Sequence, residues 1–215
     1  MISFPFNSIQ SVLCIGAHAD DIEIGCGGTL LKLLEQQGGV EVRWVVLSGN
    51  EIRQAEASAS AARFLQQSAN HQVELKGFAD AHFPYTEARE LKSYFGQLQS
   101  HEPPDLIFTH RREDLHQDHR LVAELTWQHF RNHLILEYEI PKYEGDLGTP
   151  NVFVPLGNEH CQNKTAILME EYPSQAVKPW FSEDTFSSLL RIRGIECQSP
   201  TGFAEAFYCR KLLLG

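Results

Sequence analysis

The chain has 215 residues, 42% of them apolar and 21% charged, a composition that suits one folded α/β domain and excludes a disordered or membrane-embedded protein. Its formal charge of −10 argues against a nucleic-acid partner, which needs a surplus of Lys and Arg on some face. Met1 to Gln10 shows no basic run leading into an apolar core, and no apolar stretch reaches about 18 residues, so no leader, no membrane insertion and a cytoplasmic location are expected.

Val12–Ala17 is apolar at both parities, the pattern of a strand buried on both faces of a parallel sheet. Gly25-Cys26-Gly27-Gly28 then precedes a helical spacing over Thr29–Glu35, which predicts strand, loop, helix. Val42–Leu47 reads as a second strand and Glu51–Gln67 as a second helix. The alternation continues through a short strand at Val73–Leu75, a helix over Glu87–Ser100, a strand over Asp105–Thr109 and a helix over Gln117–Phe130. Leu134–Leu136 and Val152–Val154 read as added strands, Lys164–Glu171 and Asp184–Ile192 as helices, and Phe203–Tyr208 as a final strand. Repeated strand-then-helix units imply a mostly parallel sheet with helices on both faces, whose ligands sit beyond the carboxyl ends of the strands.

Two segments at such strand ends carry the chemistry. His18-Ala19-Asp20-Asp21 follows the first strand, and His116-Gln117-Asp118-His119 follows the strand ending near Thr109. Imidazoles and carboxylates are the donors that zinc accepts in hydrolytic sites, and three of them leave a position open for water. His18 and Asp21 on one tight turn, completed by His119, suit a single ion. Asp20 then points elsewhere as a general base, and His116, protonated, stabilises an oxyanion. Five cysteines without a C-x-x-C pair read as buried, reduced thiols.

His18-Ala19-Asp20-Asp21-Ile22-Glu23-Ile24-Gly25-Cys26-Gly27-Gly28-Thr29-Leu30 resembles the His-Pro-Asp-Asp segment of PIG-L/LmbE-like zinc-dependent N-deacetylases, and His116-Gln117-Asp118-His119 resembles their second motif. The resemblance implies a Rossmann-like three-layer fold over residues 1–215, with one zinc per chain on His18, Asp21 and His119. It also implies Asp20 as base, His116 facing the tetrahedral intermediate, and Asp118 orienting an imidazole. The substrate it implies is a small N-acetylated amino sugar or sugar conjugate. Arg53 and Asp80 fall where the family's pocket-lining loops lie, while His110 and Arg111, at the end of the strand before the second motif, are further substrate-binding candidates. Ala19 stands where the family usually has Pro, and the loop from Leu47 to Arg53 is short for it.

Other readings weigh against these. Gly25–Gly28 fits a phosphate loop at a helix start poorly, because Asp20 and Asp21 just upstream repel a pyrophosphate. A two-metal phosphoesterase uses the same donors, and a non-catalytic sugar- or nucleotide-binding module has no need of a paired base and acid. The sequence leaves the oligomeric state open, a homo-oligomer included.

Overall fold

A computed structural model describes residues 8–213, so most of the Met1–Gln10 segment read above lies outside the described residues. The elements in chain order are β1 (Ser11–Gly16), α1 (Asp21–Gln36), β2 (Glu41–Ser48), α2 (Glu51–Phe64), β3 (Asn70–Phe78), α3 (Ala88–Gln99), β4 (Leu106–His110), α4 (Gln117–His129), β5 (Leu134–Tyr138), β6 (Val152–Pro155), α5 (Asn158–Glu171), α6 (Glu183–Glu196) and β7 (Ala204–Tyr208).

Seven strands form one sheet in the order β3-β2-β1-β4-β5-β7-β6. The first five are parallel, and β7 and β6 close the far edge antiparallel. The expected three-layer α/β fold is borne out. Parity along the strands divides two cores. Val12, Cys14, Trp44 and Phe108 face α1, α2, α5 and α6 through Leu30, Phe64, Leu168 and Phe186, while Leu13, Ile15, Val45 and Ile107 face α3 and α4 through Leu91, Phe95 and Val122. That division explains why these strands carry apolar residues at both parities.

The chain winds from β1 out to β3 on one side and returns to β4 and β5 on the other. Neighbouring connections therefore diverge between β1 and β4, leaving a crevice beyond their carboxyl ends. The loops after these two strands hold His18 and His116.

The glycine segment departs from expectation. Gly25, Gly27 and Gly28 lie inside α1, which begins at Asp21 and not near Thr29. Close packing displaces the usual helix propensity here, since a Cβ on Gly25 would stand 2.3 Å from the Tyr138 ring and one on Gly27 2.7 Å from Phe64. At Gly28 two side chains enter the helix ladder. Lys164 Nζ donates to the Ile24 carbonyl at 2.6 Å, and Glu205 accepts the Gly28 and Thr29 N–H groups at 2.8 and 2.6 Å. In an unbroken helix Ile24 C=O and Gly28 N–H would bond each other. Lys164 and Glu205 also pair at 2.7 Å, so neither buried charge is stranded.

Other elements differ mainly in extent. β3 starts at Asn70 because an edge strand tolerates the polar Asn70, His71 and Gln72 that hide it from a hydropathy reading. All five cysteines are free, but only Cys14, Cys26 and Cys197 are buried as read, Cys161 and Cys209 being half-buried; burial beside Cys14 pushes the Cys26 thiol well up, which leaves it inert. Among the described residues no helix is long and apolar enough to cross a membrane.

Candidate metal centre

The turn after β1 is shaped by its own backbone. Asp20 takes φ 96°, a left-handed conformation that costs a non-glycine residue about 1 kcal/mol or more and that Asp tolerates better than most. Asp20 precedes the first residue of α1 without capping it, so its carboxylate is spared for other contacts. Asp21 instead reaches back, its Oδ2 accepting the His18 N–H at 2.7 Å. The two adjacent carboxylates thus leave the turn in different directions.

Three donor atoms converge there. His18 Nδ1 lies 3.3 Å from Asp21 Oδ2 and 3.1 Å from His119 Nε2, and the latter two are 3.6 Å apart. A tetrahedral ion bound at ~2.0–2.1 Å separates its donors by about 3.3–3.4 Å, so the trio matches zinc without rearrangement. Charge gives a second test. Burial alone would make His18 hard to protonate, yet Asp118, Asp21 and Asp80 outweigh it and hold the imidazole well above its ordinary pKa. The surrounding carboxylates therefore favour a positive charge at this point, which a cation held here would also supply. His119 is tuned the opposite way, since burial and the nearby His110 bring it down to about 3. It is therefore the neutral imidazole a metal needs, with Nδ1 bonded to Asp114 Oδ2 at 3.0 Å and Nε2 turned to the pocket.

Around the trio stand Asp20 and His116. Burial pushes Asp20 up to about 7, against the opposing charge of Arg53, whose Nη2 lies 2.9 Å from Asp20 Oδ2. Arg53 is itself held by Glu56 at 3.0 Å and by the Ala19 carbonyl, while Ser174 bonds Glu56 at 2.7 Å. His116 begins α4 as its N-cap, and its Nδ1 accepts the Asp118 N–H at 3.3 Å. That bond places the ring proton on Nε2. Burial and the neighbouring His18 also lower its pKa, which favours the neutral imidazole over the protonated form expected from the sequence. Asp118 is fully buried and accepts the His18 Nε2–H at 3.1 Å together with the Ala81 and Phe83 N–H groups at 2.7 and 3.1 Å. It anchors the second motif to the first.

Asp80 lies at the cavity, where His18 Nε2, 3.0 Å away, draws its pKa down to about 2. Two other substrate candidates are corrected. His110 has no exposed surface and stacks beneath His119 at 3.9 Å, its Nε2 3.2 Å from Asp21 Oδ2 and 3.3 Å from the Tyr138 hydroxyl. It supports the cluster from behind. Arg111 bonds the Asp146 carbonyl at 2.8 Å and lies over the Tyr208 ring at 4.4 Å, away from the cavity lining.

Sequence reasoning missed Asp114 and Lys142 as functional residues. Besides His119, Asp114 accepts the His116 N–H at 2.8 Å and a bond from Lys142 at 2.9 Å; burial raises its pKa, but His119 and Lys142 outweigh that and hold it well below the usual carboxylate range. The spacing Asp-x-His-x-Asp-His was a usable signal for Asp114. Lys142, in an irregular loop after β5, offered none. The cavity over the cluster encloses about 780 Å³ and is lined by His18, Asp20, Arg53, Asp80, His116 and His119 among others.

A crevice at the switch point of a Rossmann-like sheet, lined by three candidate metal donors with a carboxylate and an imidazole beside them, is the arrangement of a candidate metal-dependent enzyme. The comparisons give the family. Residues 13–130, more than half of the chain, match the model of the PIG-L family, described as GlcNAc-PI de-N-acetylase, and the chain belongs to this family. The uncharacterized deacetylase YaiS of Escherichia coli is 31% identical over 75% of this chain and 90% of its own length. Diacetylchitobiose deacetylase of Thermococcus kodakarensis is 32% identical over 49% of this chain, an alignment spanning 42% of that protein. Among solved structures, GalB of Pseudomonas putida, a 4-carboxy-2-hydroxymuconate hydratase, superposes with a TM-score of 0.76 at 16% identity, covering 96% of this chain and 98% of its own. That similarity concerns the fold alone.

Proposed function

We propose that this chain hydrolyses the N-acetyl amide of an N-acetylated amino sugar or sugar conjugate, with one zinc ion held by His18, Asp21 and His119. The carrying observation is the set of three donors at 3.1 to 3.6 Å from one another in a cavity that also holds Asp20 and His116. Bound zinc supplies a Lewis acid that acidifies water and polarises a carbonyl oxygen.

The chain's own groups manage the protons. Asp20, with a pKa pushed up to about 7, takes a proton from the attacking water and passes it to the departing amine. His116 donates from Nε2 to the carbonyl oxygen as that oxygen gains charge. Asp118 and Asp114 fix the rings of His18 and His119, and Arg53 holds Asp20 in place. The bond between the acetyl carbon and nitrogen breaks, and acetate and a free amino sugar leave.

A single ion fits better than the pair a phosphoesterase would use. Asp118 already accepts three bonds, and His110 has no exposed surface, its Nε2 accepting the Ala17 N–H at 2.9 Å. The names of the curated relatives support deacetylation over the hydratase chemistry of GalB. Protein reconstituted with one equivalent of zinc should release amine and acetate in equal amounts from members of a panel of N-acetyl sugars. Release that persists in full after chelation would overturn the zinc assignment, and no release from any sugar would overturn the substrate class.

A further inference from the structure

Arg53 fixes Asp20 only as firmly as Arg53 is itself fixed. Its guanidinium stands between two carboxylates, with Nη2 at 2.9 Å from Asp20 Oδ2 and Nη1 at 3.0 Å from Glu56 Oε2, and a cation so placed can lean to either. What holds it in the middle comes from a turn far along the chain. α5 ends at Glu171, because Pro173 disfavours the helical conformation at Tyr172, whose φ of −117° and ψ of 54° leave it. Pro173–Gln175 then makes a single 3₁₀ turn.

That turn sets Ser174 against Glu56. The Ser174 N–H donates to Glu56 Oε1 at 2.9 Å and its hydroxyl to Oε2 at 2.7 Å, so both oxygens of Glu56 are pinned. Ser174 Oγ accepts from the Gln175 amide at 2.9 Å and lies 3.4 Å from Arg53 Nη1. Tyr172 closes the core side. Its ring has no exposed surface, and Arg53 Cζ lies over it at 5.0 Å from the centroid. The Tyr172 hydroxyl donates to Glu23 of α1, which also accepts from Ser60 at 2.7 Å, and the ring meets Phe181 edge to face at 6.3 Å. Tyr172 is thereby tied to the helix that begins at Asp21 while it supports the arginine of α2. Hydrogen bonds fix where the N–H groups of a guanidinium point, and an aromatic face limits how far the group can withdraw.

We infer that Tyr172 and Ser174 are positioning residues for the base: together they form the seat of Arg53, and through Arg53 they hold Asp20 at the His18–Asp21–His119 cluster. This rests on the deacetylase reading above, in which Asp20 moves the protons.

The test is a mutant cycle on the zinc-loaded enzyme with an N-acetyl sugar that it hydrolyses. Tyr172→Leu should lower kcat roughly three- to thirtyfold, the worth of one cation–π contact, and Ser174→Ala roughly three- to tenfold, with KM within about twofold and one zinc per chain retained. In an Arg53→Gln background each change should cost less than about twofold, because the seat then holds no guanidinium. Tyr172→Phe keeps the ring and should keep kcat within about twofold of wild type, although loss of the Glu23 bond lowers its melting temperature. Losses that persist in full without Arg53, or a Tyr172→Phe that falls as far as Tyr172→Leu, overturn the proposal. Should Tyr172→Leu not fold, Ser174→Ala and its cycle decide. The guanidinium proton resonance of Arg53, identified by its disappearance in Arg53→Gln, gives a reading that needs no turnover. Lying over the ring, it should be shifted upfield in wild type and Tyr172→Phe, move downfield in Tyr172→Leu and broaden in Ser174→Ala. A resonance that responds to none of these changes sinks the seat whatever the activity, and one that responds in a protein that deacetylates no sugar keeps the seat and sinks the deacetylase reading.

Discussion

Replacing Asp114 by Asn should weaken zinc binding about 10- to 100-fold, or about 1.4–2.7 kcal/mol, the usual cost of losing a carboxylate behind a ligating imidazole. The structure places the expected loss toward the upper end. Asp114 is 3% exposed, and its Oδ2 is the one partner that holds the proton of His119 on Nδ1. An Asn amide that turns its NH₂ to this ring moves the proton to Nε2, the nitrogen that must be free to bind. The fold should tolerate the change. Lys142 keeps both oxygens of Asp146 at 2.7 and 2.8 Å, so no buried cation is stranded, and Asn can still accept the His116 N–H through its own oxygen. Zinc dissociation constants from competition with a chromophoric chelator, measured beside thermal melts of the zinc-free proteins, read the two effects apart. An affinity within threefold of wild type, with the melt unchanged, would refute the role of Asp114 in setting His119.

Asp20→Ala should lower kcat by about 10²- to 10⁴-fold while retaining one zinc, whereas His18→Ala should lose the metal; equal zinc loss in both would contradict the division between Asp20 and Asp21. Arg53→Gln removes the charge that opposes burial at Asp20. Asp20 then keeps its proton to higher pH, and the acid limb of kcat/KM should move upward in pH; a limb that stays in place would assign it to another group. Gly25→Ala sets a Cβ against the Tyr138 ring and should cost about 1–3 kcal/mol, a melting temperature lower by roughly 2–4 °C per kcal/mol. A melting temperature at or above wild type would show that helix propensity, and not packing, decides this position.

The sheet was legible because its central strands are buried on both faces, so Val12–Ala17 and, apart from Arg43, Val42–Leu47 carry no charged or polar side chain and need little context to be read. His18 and His116 were placed at strand ends for the same reason. Position within the crevice was harder. His110 ends β4 as read, but strand parity turns its ring inward beneath Asp21, a matter of one residue that hydropathy does not report. The tautomer of His116 depends on a backbone N–H two residues on, and the role of Lys142 on where an irregular loop comes to rest. The glycines of α1 misled because their meaning lies in Tyr138, Phe64 and Leu156, partners distant in the chain.

The entry of Lys164 and Glu205 into α1 bears on how the site is made. Every proposed ligand and both proton-handling residues lie within residues 13–130, so that stretch looks self-sufficient on paper. Yet the middle of the helix that starts at Asp21 finds its hydrogen-bond partners on α5 and on the last strand. The helix that begins at Asp21 is thereby tied at its middle to residues beyond the segment that holds every proposed ligand, and a fragment ending before Glu205 would carry all of those ligands while lacking the carboxylate that receives Gly28 and Thr29.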